Sequence, residues 1–174
     1  MSGPPVHIVP YDPSWPAKFA EERDSLARHL APWLEGGIEH IGSTSVPGLA
    51  AKPVIDMMAG VRSLEKSRPC IEALTKAGWV YFPFMADQMH WLCKPSDEFR
   101  THHLHVLPYR SARWNARLAF RDYLRAHPEV AAEYQALKLE LAEKYREDRE
   151  TYTTEKGPYI KRIVKLAMDR QTTP

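Results

Sequence analysis

Cysteine and long apolar segments are both scarce in this chain. Only two of its 174 residues are cysteine, Cys70 and Cys93, and their separation does not match the close spacing of a metal-binding pair. A secreted disulfide framework normally uses more cysteines, so we expect two buried free thiols and a reducing, cytoplasmic location. No apolar segment near the N-terminus is long enough for a signal peptide or a membrane anchor, and we expect no membrane partner.

The chain also lacks an excess of charge of one sign. Its 24 lysines and arginines face 22 aspartates and glutamates, which gives a net charge of +2. This balance gives no reason to expect a nucleic-acid partner, although it is compatible with a local basic pocket. The apolar fraction of 44% and the charged fraction of 26% are ordinary for a globular protein. The length predicts a single domain over residues 1–174.

The first part of the chain has the apolar pattern of a mixed β-sheet with a flanking helix. Helical periodicity runs over residues 14–29, with a proline in the first turn. A β-hairpin is expected over residues 79–93. Short apolar runs predict three further strands, at residues 38–41, 54–61 and 103–107. Because strands and helices occur in blocks, the predicted fold class is α+β.

The second part of the chain is helix-forming. From Ser111 onward, apolar residues recur at helical spacing, with breaks at Pro128 and near Gly157. We therefore expect a sheet-containing core over residues 1–110 and a C-terminal helical region over residues 111–174. This helical region is expected to pack on the sheet and to form one wall of a cleft.

The segment Gly42-Ser43-Thr44-Ser45 follows the first of these strands and is a candidate ligand site. Glycine allows the backbone to approach a ligand closely, and successive N–H groups in such a turn can bind an anion. The three hydroxyl groups would add hydrogen bonds to a phosphate. The segment is not a Walker A loop, since it lacks the Gly-Lys-Ser/Thr ending. An ordinary Gly-Ser turn is the alternative.

Asp56 lies inside the next predicted strand, among apolar residues. A carboxylate in such a run is costly unless it has a partner. A divalent cation would satisfy it, because proteins hold Mg²⁺ with one or two carboxylates plus substrate phosphates. The alternative is a structural acid bonded to Lys52, to an arginine or to backbone N–H groups. Lys52 is also a candidate phosphate ligand.

The segment that begins at Arg100 contains three histidines in four residues, His102, His103 and His105. On a strand, alternation places His103 and His105 on one side and His102 on the other. Two imidazoles on one face can ligate a metal ion or contact a phosphate, and Arg100 would add a cation. A hydrogen-bonded structural cluster is the alternative.

In the tail, Arg149, Tyr152 and Lys156 are separated by three and four residues, which places them on one helix face. Such a face can offer two cations and a phenol to a phosphorylated ligand. The alternative is a solvated surface with the tyrosine packed inward. Three other basic residues of the tail are expected to be ordinary surface charge: Lys138, Lys144 and Arg146.

Taken together, these residues resemble the GrpB family of bacterial proteins, and the resemblance runs nearly from end to end. It is specific because several unusual motifs occur in one order. The motifs are VPYDPSWPAKFAEE (9–22), IEHIGSTSVPGLAAKPVIDMMAGV (38–61), RTHHLHV (100–106), LAFRDYLRAHPEVAAEYQALK (118–138) and DRETYTTEK (148–156).

That family is in turn similar to the nucleotidyltransferase superfamily, which has a DNA polymerase beta-like fold. The superfamily has a Gly-Ser or Gly-Gly turn after a strand, an acid-x-acid pair on the next strand and a third acid on a later strand. Gly42-Ser43 matches the turn and Asp56 matches the first acid. Met58 stands at the second acid position and cannot ligate Mg²⁺, and a histidine stands at the third. Either the chemistry is altered or the site binds without reacting.

The leading hypothesis is a nucleotidyltransferase-like protein that transfers a nucleotidyl or phosphoryl group to a small molecule. Its partner would be a nucleotide or another phosphorylated small molecule, with the phosphates on residues 42–45 and their charge neutralised by Arg149 and Lys156. The implied cofactor is a divalent metal, Mg²⁺, Mn²⁺ or Zn²⁺. The candidate metal ligands and catalytic residues are Asp56, His103 and His105.

Two alternatives stay open. The first is a non-catalytic binding module that keeps the pocket and has lost the reaction together with the second acid. The second is a metal-dependent hydrolase built on a transition metal. Its candidate ligands are Asp56, His102, His103 and His105.

Overall fold

The computed structural model describes residues 5–171. Its strands are β1 (Leu34–Ile41), β2 (Ile55–Val61), β3 (Val80–Phe82), β4 (His90–Pro95) and β5 (Arg100–Pro108). Its helices are α1 (Trp15–Leu30), α2 (Leu64–Ser67), α3 (Cys70–Lys76), α4 (Ala112–Ala126), α5 (Pro128–Lys144), α6 (Arg149–Glu155) and α7 (Gly157–Gln171). The predicted α+β class is confirmed.

The five strands form one mixed sheet in the order β1-β2-β5-β4-β3. Strands β2 and β5 are parallel neighbours at its centre, whereas the other pairs are antiparallel. The register places Asp56 beside His103 and Met58 beside His105. Because paired residues point to the same face, the register alone brings the predicted acid and both predicted imidazoles to one side of the sheet.

The opposite face of the sheet carries the main apolar core. Met57 and Ala59 of β2 and Leu104 and Val106 of β5 are fully buried there, against residues of α1 and α3. Helix α1 begins with a proline in its first turn, as its sequence predicts. Burial of several large side chains at about 25 cal/mol per Å² makes this layer the main source of stability.

The face that carries Asp56 is covered by the C-terminal helices. Trp114 of α4 packs on Met58 and Leu107 of the central strands. Residues of α4, α5 and α7 pack on Val46 and Leu49 of the loop that joins β1 to β2. The sheet and the C-terminal helices thus enclose Asp56 between them.

The helical tail has one break that its sequence did not predict, between α5 and α6. No glycine or proline marks this break. Instead, Asp148 caps α6, since its side chain accepts a hydrogen bond from the backbone N–H of Thr151 at 3.0 Å. The predicted break at Pro128 and the hairpin of β3 and β4 are both present.

Both cysteines are buried free thiols, which confirms the prediction. Burial raises the pKa of the Cys70 thiol to about 12, so the neutral form persists at physiological pH. Among the helices of residues 5–171, none combines the length and the apolar character that crossing a bilayer requires.

Candidate functional site

The turn after β1 lies directly against Asp56. Gly42 has φ +71° and ψ −174°, a conformation that is essentially restricted to glycine. A Cβ atom at Gly42 would lie 2.6 Å from Oδ2 of Asp56. The glycine is therefore required twice, for its backbone conformation and for the close approach of the carboxylate.

Asp56 and His103 form a hydrogen-bonded pair. The distance between Asp56 Oδ1 and His103 Nδ1 is 2.9 Å, and 29% of the Asp56 side chain is exposed. Burial acts to raise the pKa of Asp56, but the hydrogen bond from His103, with the nearby charge of Arg117, outweighs it and lowers the pKa to about 2. The carboxylate is therefore ionised at physiological pH. His103 Nε2 is buried without a hydrogen-bond partner among the described residues.

His105 lies on the same face of β5 but deeper in the protein. Its Nδ1 atom is 3.5 Å from the sulfur of Met89. Burial, with the nearby charge of Arg117, holds the pKa of His105 well below its usual range, so the imidazole is neutral at pH 7. His102 is on the opposite face, with its ring 6.5 Å from that of Trp79. The structure therefore does not bring His102 to the site, and the four-ligand set of the hydrolase hypothesis is not assembled.

Thr44 and Ser45, predicted as phosphate ligands, use their hydroxyl groups inside the turn. Thr44 Oγ1 donates to the carbonyl of Val54 at 3.2 Å and lies 3.0 Å from His40 Nε2. Ser45 Oγ donates to the carbonyl of Gly42. Both residues are almost fully buried. In the structure these hydroxyl groups shape the turn, while Ser43 lies beside Tyr134. Phosphate binding by Thr44 and Ser45 stays a prediction from the sequence.

The C-terminal helices hold the loop that contains this turn. Arg125 of α4 donates two hydrogen bonds to the carbonyl of Ser45, at 2.9 and 2.7 Å. On α5, Gln135 Oε1 accepts from the N–H of Ala50 at 2.7 Å, and Lys138 Nζ donates to the Ala50 carbonyl. Both backbone groups of Ala50 are thus bonded to side chains of one helix.

Lys52 lies near Asp56, and arginines from two further elements lie near Lys52. Burial, with the charges of Arg149 and Arg100, lowers the pKa of Lys52 to about 8, although Asp56 opposes this effect. Arg149 Nη1 is buried without a hydrogen-bond partner in the described chain. Arg100 is different, because it is ion-paired with Asp97 and lies over the rings of Trp91 and Phe82. Arg100 therefore has less free charge to offer a ligand.

Lys156 and Tyr152 form a pair at the end of α6. The ammonium group of Lys156 is 4.1 Å from the centre of the Tyr152 ring, and Tyr152 is only 3% exposed. Burial lowers the pKa of Lys156 to about 8, against the opposing influence of Asp56. Tyr152 thus packs inward and supports the lysine, so the face offers a cation more than a phenol.

Lys138 is not surface charge, which corrects the prediction from sequence. It is 2% exposed, lies over the ring of Tyr134, and bonds to the loop as described. Burial, followed by the charge of Lys156, lowers its pKa to about 7. Its position on α5 among good helix formers gave no sign of burial, because an isolated lysine in such a helix is usually solvated.

Two further residues of the site were missed from the sequence. Arg117 of α4 is partly buried and close enough for its charge to act on Asp56 and His105, and its guanidinium makes no hydrogen bond that we find within residues 5–171. Tyr134 lies beside Ser43. A signal was present for Arg117, since α4 carries an arginine at every fourth position and such residues share one helix face. These are Arg113, Arg117, Arg121 and Arg125.

The side chains at Asp56 do not fit a ready-made metal centre. Within the described residues, no three His, Cys, Asp or Glu side chains are placed to hold one ion. The Asp56 and His103 atoms that face each other are already joined by a hydrogen bond. Met58, at the second acid position, is fully buried in an apolar cluster. The divalent metal stays a prediction from the sequence.

A separate groove of about 430 Å³ lies at the outer edge of β1. Phe19, His40 and Arg125 are among the residues that line it, whereas Asp56 and Lys156 are not. The rings of Phe19 and His40 stack at 4.7 Å. Concavity alone therefore does not single out the Asp56 site, which stands out by its charges instead.

Comparison with known proteins agrees with the motifs. The model of one family, described as GrpB protein, matches residues 5–166. A UPF0157 protein of Pseudomonas aeruginosa is 38% identical over 168 residues, which cover 94% of this chain and 68% of that protein. The crystal structure of the conserved protein GrpB from Enterococcus faecalis superposes with a TM-score of 0.86 at 35% identity, covering 96% of this chain and 100% of that one.

More distant structures share the fold. A crystal structure of the Cid1 poly(U) polymerase with Mg and 3′-dATP bound has a TM-score of 0.50 and 16% identity, covering 79% of this chain and 43% of that one. At this identity the similarity shows the fold alone. The predicted nucleotidyltransferase-like fold is confirmed to that extent.

Proposed function

Because the chain belongs to the GrpB family and has a nucleotidyltransferase-like fold, we propose a binding function. The proposed ligand is a nucleotide or another phosphorylated small molecule, bound at Asp56. The observation that carries the proposal is the charge around this residue. Lys52, Lys156 and Arg117 all act on a single carboxylate. An anionic ligand would balance the excess of positive charge.

The cations have few partners within the protein. Arg149 Nη1 is buried and unpartnered, and Arg117 has no hydrogen bond in the described chain. A buried guanidinium nitrogen without a hydrogen bond, such as Arg149 Nη1, is costly, and a phosphate that reached it would remove that cost with a strong, charge-assisted bond. Burial, with a smaller contribution from neighbouring cations, lowers the pKa values of Lys52 and Lys156, and a bound anion would stabilise their charged forms.

The turn at Gly42-Ser43 supplies the second part of the site. With no Cβ at Gly42, backbone lies against the carboxylate and Ser43 follows it beside Tyr134. A phosphate held between this turn and the lysines would contact both backbone and side-chain donors. This arrangement supports a ligand with an extended, highly charged group over one with a single charge.

Binding without turnover is the form of the function that the residues support best. Nucleotidyl transfer on this fold would call for carboxylates at two neighbouring positions, and Met58 occupies the second of them. The neutral, buried His105 is poorly placed to supply the missing charge. Transfer of a nucleotidyl or phosphoryl group therefore remains the less supported version of the proposal.

The proposal is tested by calorimetric titration with ATP, GTP, CTP, UTP and tripolyphosphate, with pyrophosphate and phosphate release measured in parallel. We expect binding of at least one of these anions without release of product. Absence of binding to all five, with and without added divalent metal, would contradict the proposal.

A matched pair of lysine variants sharpens this test. Lys156→Met removes the cation that lies over Tyr152 beside the site. We expect affinity to fall about ten- to a hundredfold, because a hydrogen bond to a charged group contributes about 1.5–3 kcal/mol. Lys144→Met is the matched control. Its ammonium group also lies over a tyrosine, 5.1 Å from the centre of the Tyr145 ring, but Lys144 is an exposed residue away from the site. We expect this control to bind like the parent protein, and equal losses in both variants would indicate nonspecific attraction.

A further inference from the structure

We propose that the Asp56 site binds its phosphorylated ligand without a divalent metal, with Lys52, Lys156 and Arg117 neutralising the phosphates in its place. The inference rests on the proposed function and concerns the same site. The fold is shared with a polymerase that was crystallised with Mg, so the question is whether these residues could hold such an ion. Their geometry and their charges both oppose it.

The geometry at Asp56 commits one carboxylate oxygen to a hydrogen bond within the protein. Oδ1 is hydrogen-bonded to His103 Nδ1 at 2.9 Å. An ion could use that pair of atoms only after displacing the proton between them. Oδ2 faces the Gly42 backbone, where even a single added carbon would lie at 2.6 Å. One oxygen of the carboxylate is therefore bonded to His103, while the other lies against the backbone of the turn.

The rest of the expected metal shell is absent or turned away. Met58 occupies the position at which the superfamily has its second acid. It is fully buried in an apolar cluster with Trp114. His105 Nδ1 faces the Met89 sulfur. A single carboxylate with no neighbouring acid is a weak site for Mg²⁺, which takes oxygen ligands in octahedral geometry.

The charges around the carboxylate point the same way. A divalent cation at Asp56 would be repelled by Arg117 from α4, by Lys52 from the β1–β2 loop and by Lys156 at the end of α6. These three side chains come from three different segments, and all act electrostatically on Asp56. Metal ions in phosphate sites normally neutralise the oxygens of the ligand. Here the protein already carries cations that can do so.

Asp56 then has a positioning role. Its Oδ1 is hydrogen-bonded to Nδ1 of His103 and so orients that ring. Nε2 of the same ring is buried and has no hydrogen-bond partner within residues 5–171. Asparagine at position 56 keeps an oxygen that can accept from Nδ1 while it removes the negative charge.

The first experiment compares the affinity of the intact protein for ATP and for tripolyphosphate in EDTA and in excess Mg²⁺ or Mn²⁺. We expect binding in EDTA that is as tight as, or tighter than, binding with metal. If these anions bind only when metal is present, or about tenfold more tightly, the inference is wrong while the proposed function stands. If they bind in neither condition, the proposed function itself fails.

The second experiment depends on the sign of a charge change. In EDTA, Asp56→Asn is expected to bind tripolyphosphate about two- to tenfold more tightly, because a negative charge beside the polyanion is removed. A metal ligand at this position would give the opposite result, a loss of affinity with Mn²⁺ present. Asp87→Asn removes the same charge from an exposed loop and is the control. Should Asp56→Asn not fold, the metal comparison on the parent protein still decides the question.

Discussion

The two faces of the central strands β2 and β5 differ sharply in composition. On one face, Met57 and Ala59 of β2 adjoin Leu104 and Val106 of β5, and all four are fully buried in the main apolar core. The other face carries Asp56, which is hydrogen-bonded to a histidine and lies near three cationic side chains. Because side chains alternate along a strand, one stretch of sequence serves both stability and binding. The two roles can therefore be separated by single substitutions.

The largest expected effect on stability lies on the apolar face. Leu104→Ala removes a fully buried side chain from the main core, and we expect the free energy of unfolding to fall by about 2–5 kcal/mol. Chemical denaturation monitored by tryptophan fluorescence measures this. The folded fraction should bind anions with unchanged affinity. A loss below about 1 kcal/mol, or a large change in affinity, would show that the two faces are not independent.

A smaller effect on stability, but a larger one on binding, is expected at Gly42. Gly42→Ala places a side chain in a glycine-only conformation, at a cost of about 1–3 kcal/mol, and pushes against Asp56 Oδ2. We expect this variant to fold, and we expect calorimetry to detect no anion binding. Gly48→Ala is the matched control, because Gly48 also has a positive φ, +79°, but a Cβ there meets no atom within 4 Å. Retained binding in Gly42→Ala would show that the turn is not part of the site.

The smallest expected effects come from pH. The pKa values of Lys138, Lys52 and Lys156 are lowered to about 7, 8 and 8. As pH rises from 7 to 9 these lysines lose charge, so anion affinity should fall by several-fold.

The stability of the ligand-free protein should change in the opposite direction. Between pH 7 and about 10.5, the unfolded chain keeps a proton on Lys138 that the folded protein has lost, so the free energy of unfolding rises with pH. Calorimetric affinities and denaturation midpoints across this interval measure the two trends. Two trends of the same sign would contradict the assignment of these groups.

Local sequence patterns were sufficient for the parts of the site that lie on strands. The apolar run around Asp56 predicted β2, the His103-x-His105 alternation predicted a shared face, and Gly42 predicted a tight turn. The parallel register that joins these segments follows from none of them, because pairing between distant strands depends on the whole sheet. The order of the motifs predicted that these segments lie close together. The structure adds the parallel pairing of β2 with β5, which places Asp56 beside His103.

The helical contribution to the site was harder to predict. Lys138 and Arg117 lie on helices whose periodicity shows which residues share a face but not which partner that face meets. Burial of a lysine becomes visible only when Tyr134 and the Ala50 carbonyl are placed around it. The sequence also did not show that the hydroxyl groups of Thr44 and Ser45 donate to carbonyl groups within their own loop, because those acceptors are defined only by the folded loop.

The bonds between Ala50 and helix α5 have a consequence for the order in which the protein becomes functional. Gln135 and Lys138 follow Ala50 by 85 and 88 positions. During translation, a nascent chain released only as far as β5 would possess every strand and yet lack the side chains that shape this loop. The protein would then become able to bind its ligand only after α5 has left the ribosome. Asp56, His103 and Gly42 would all have been synthesised well before that point.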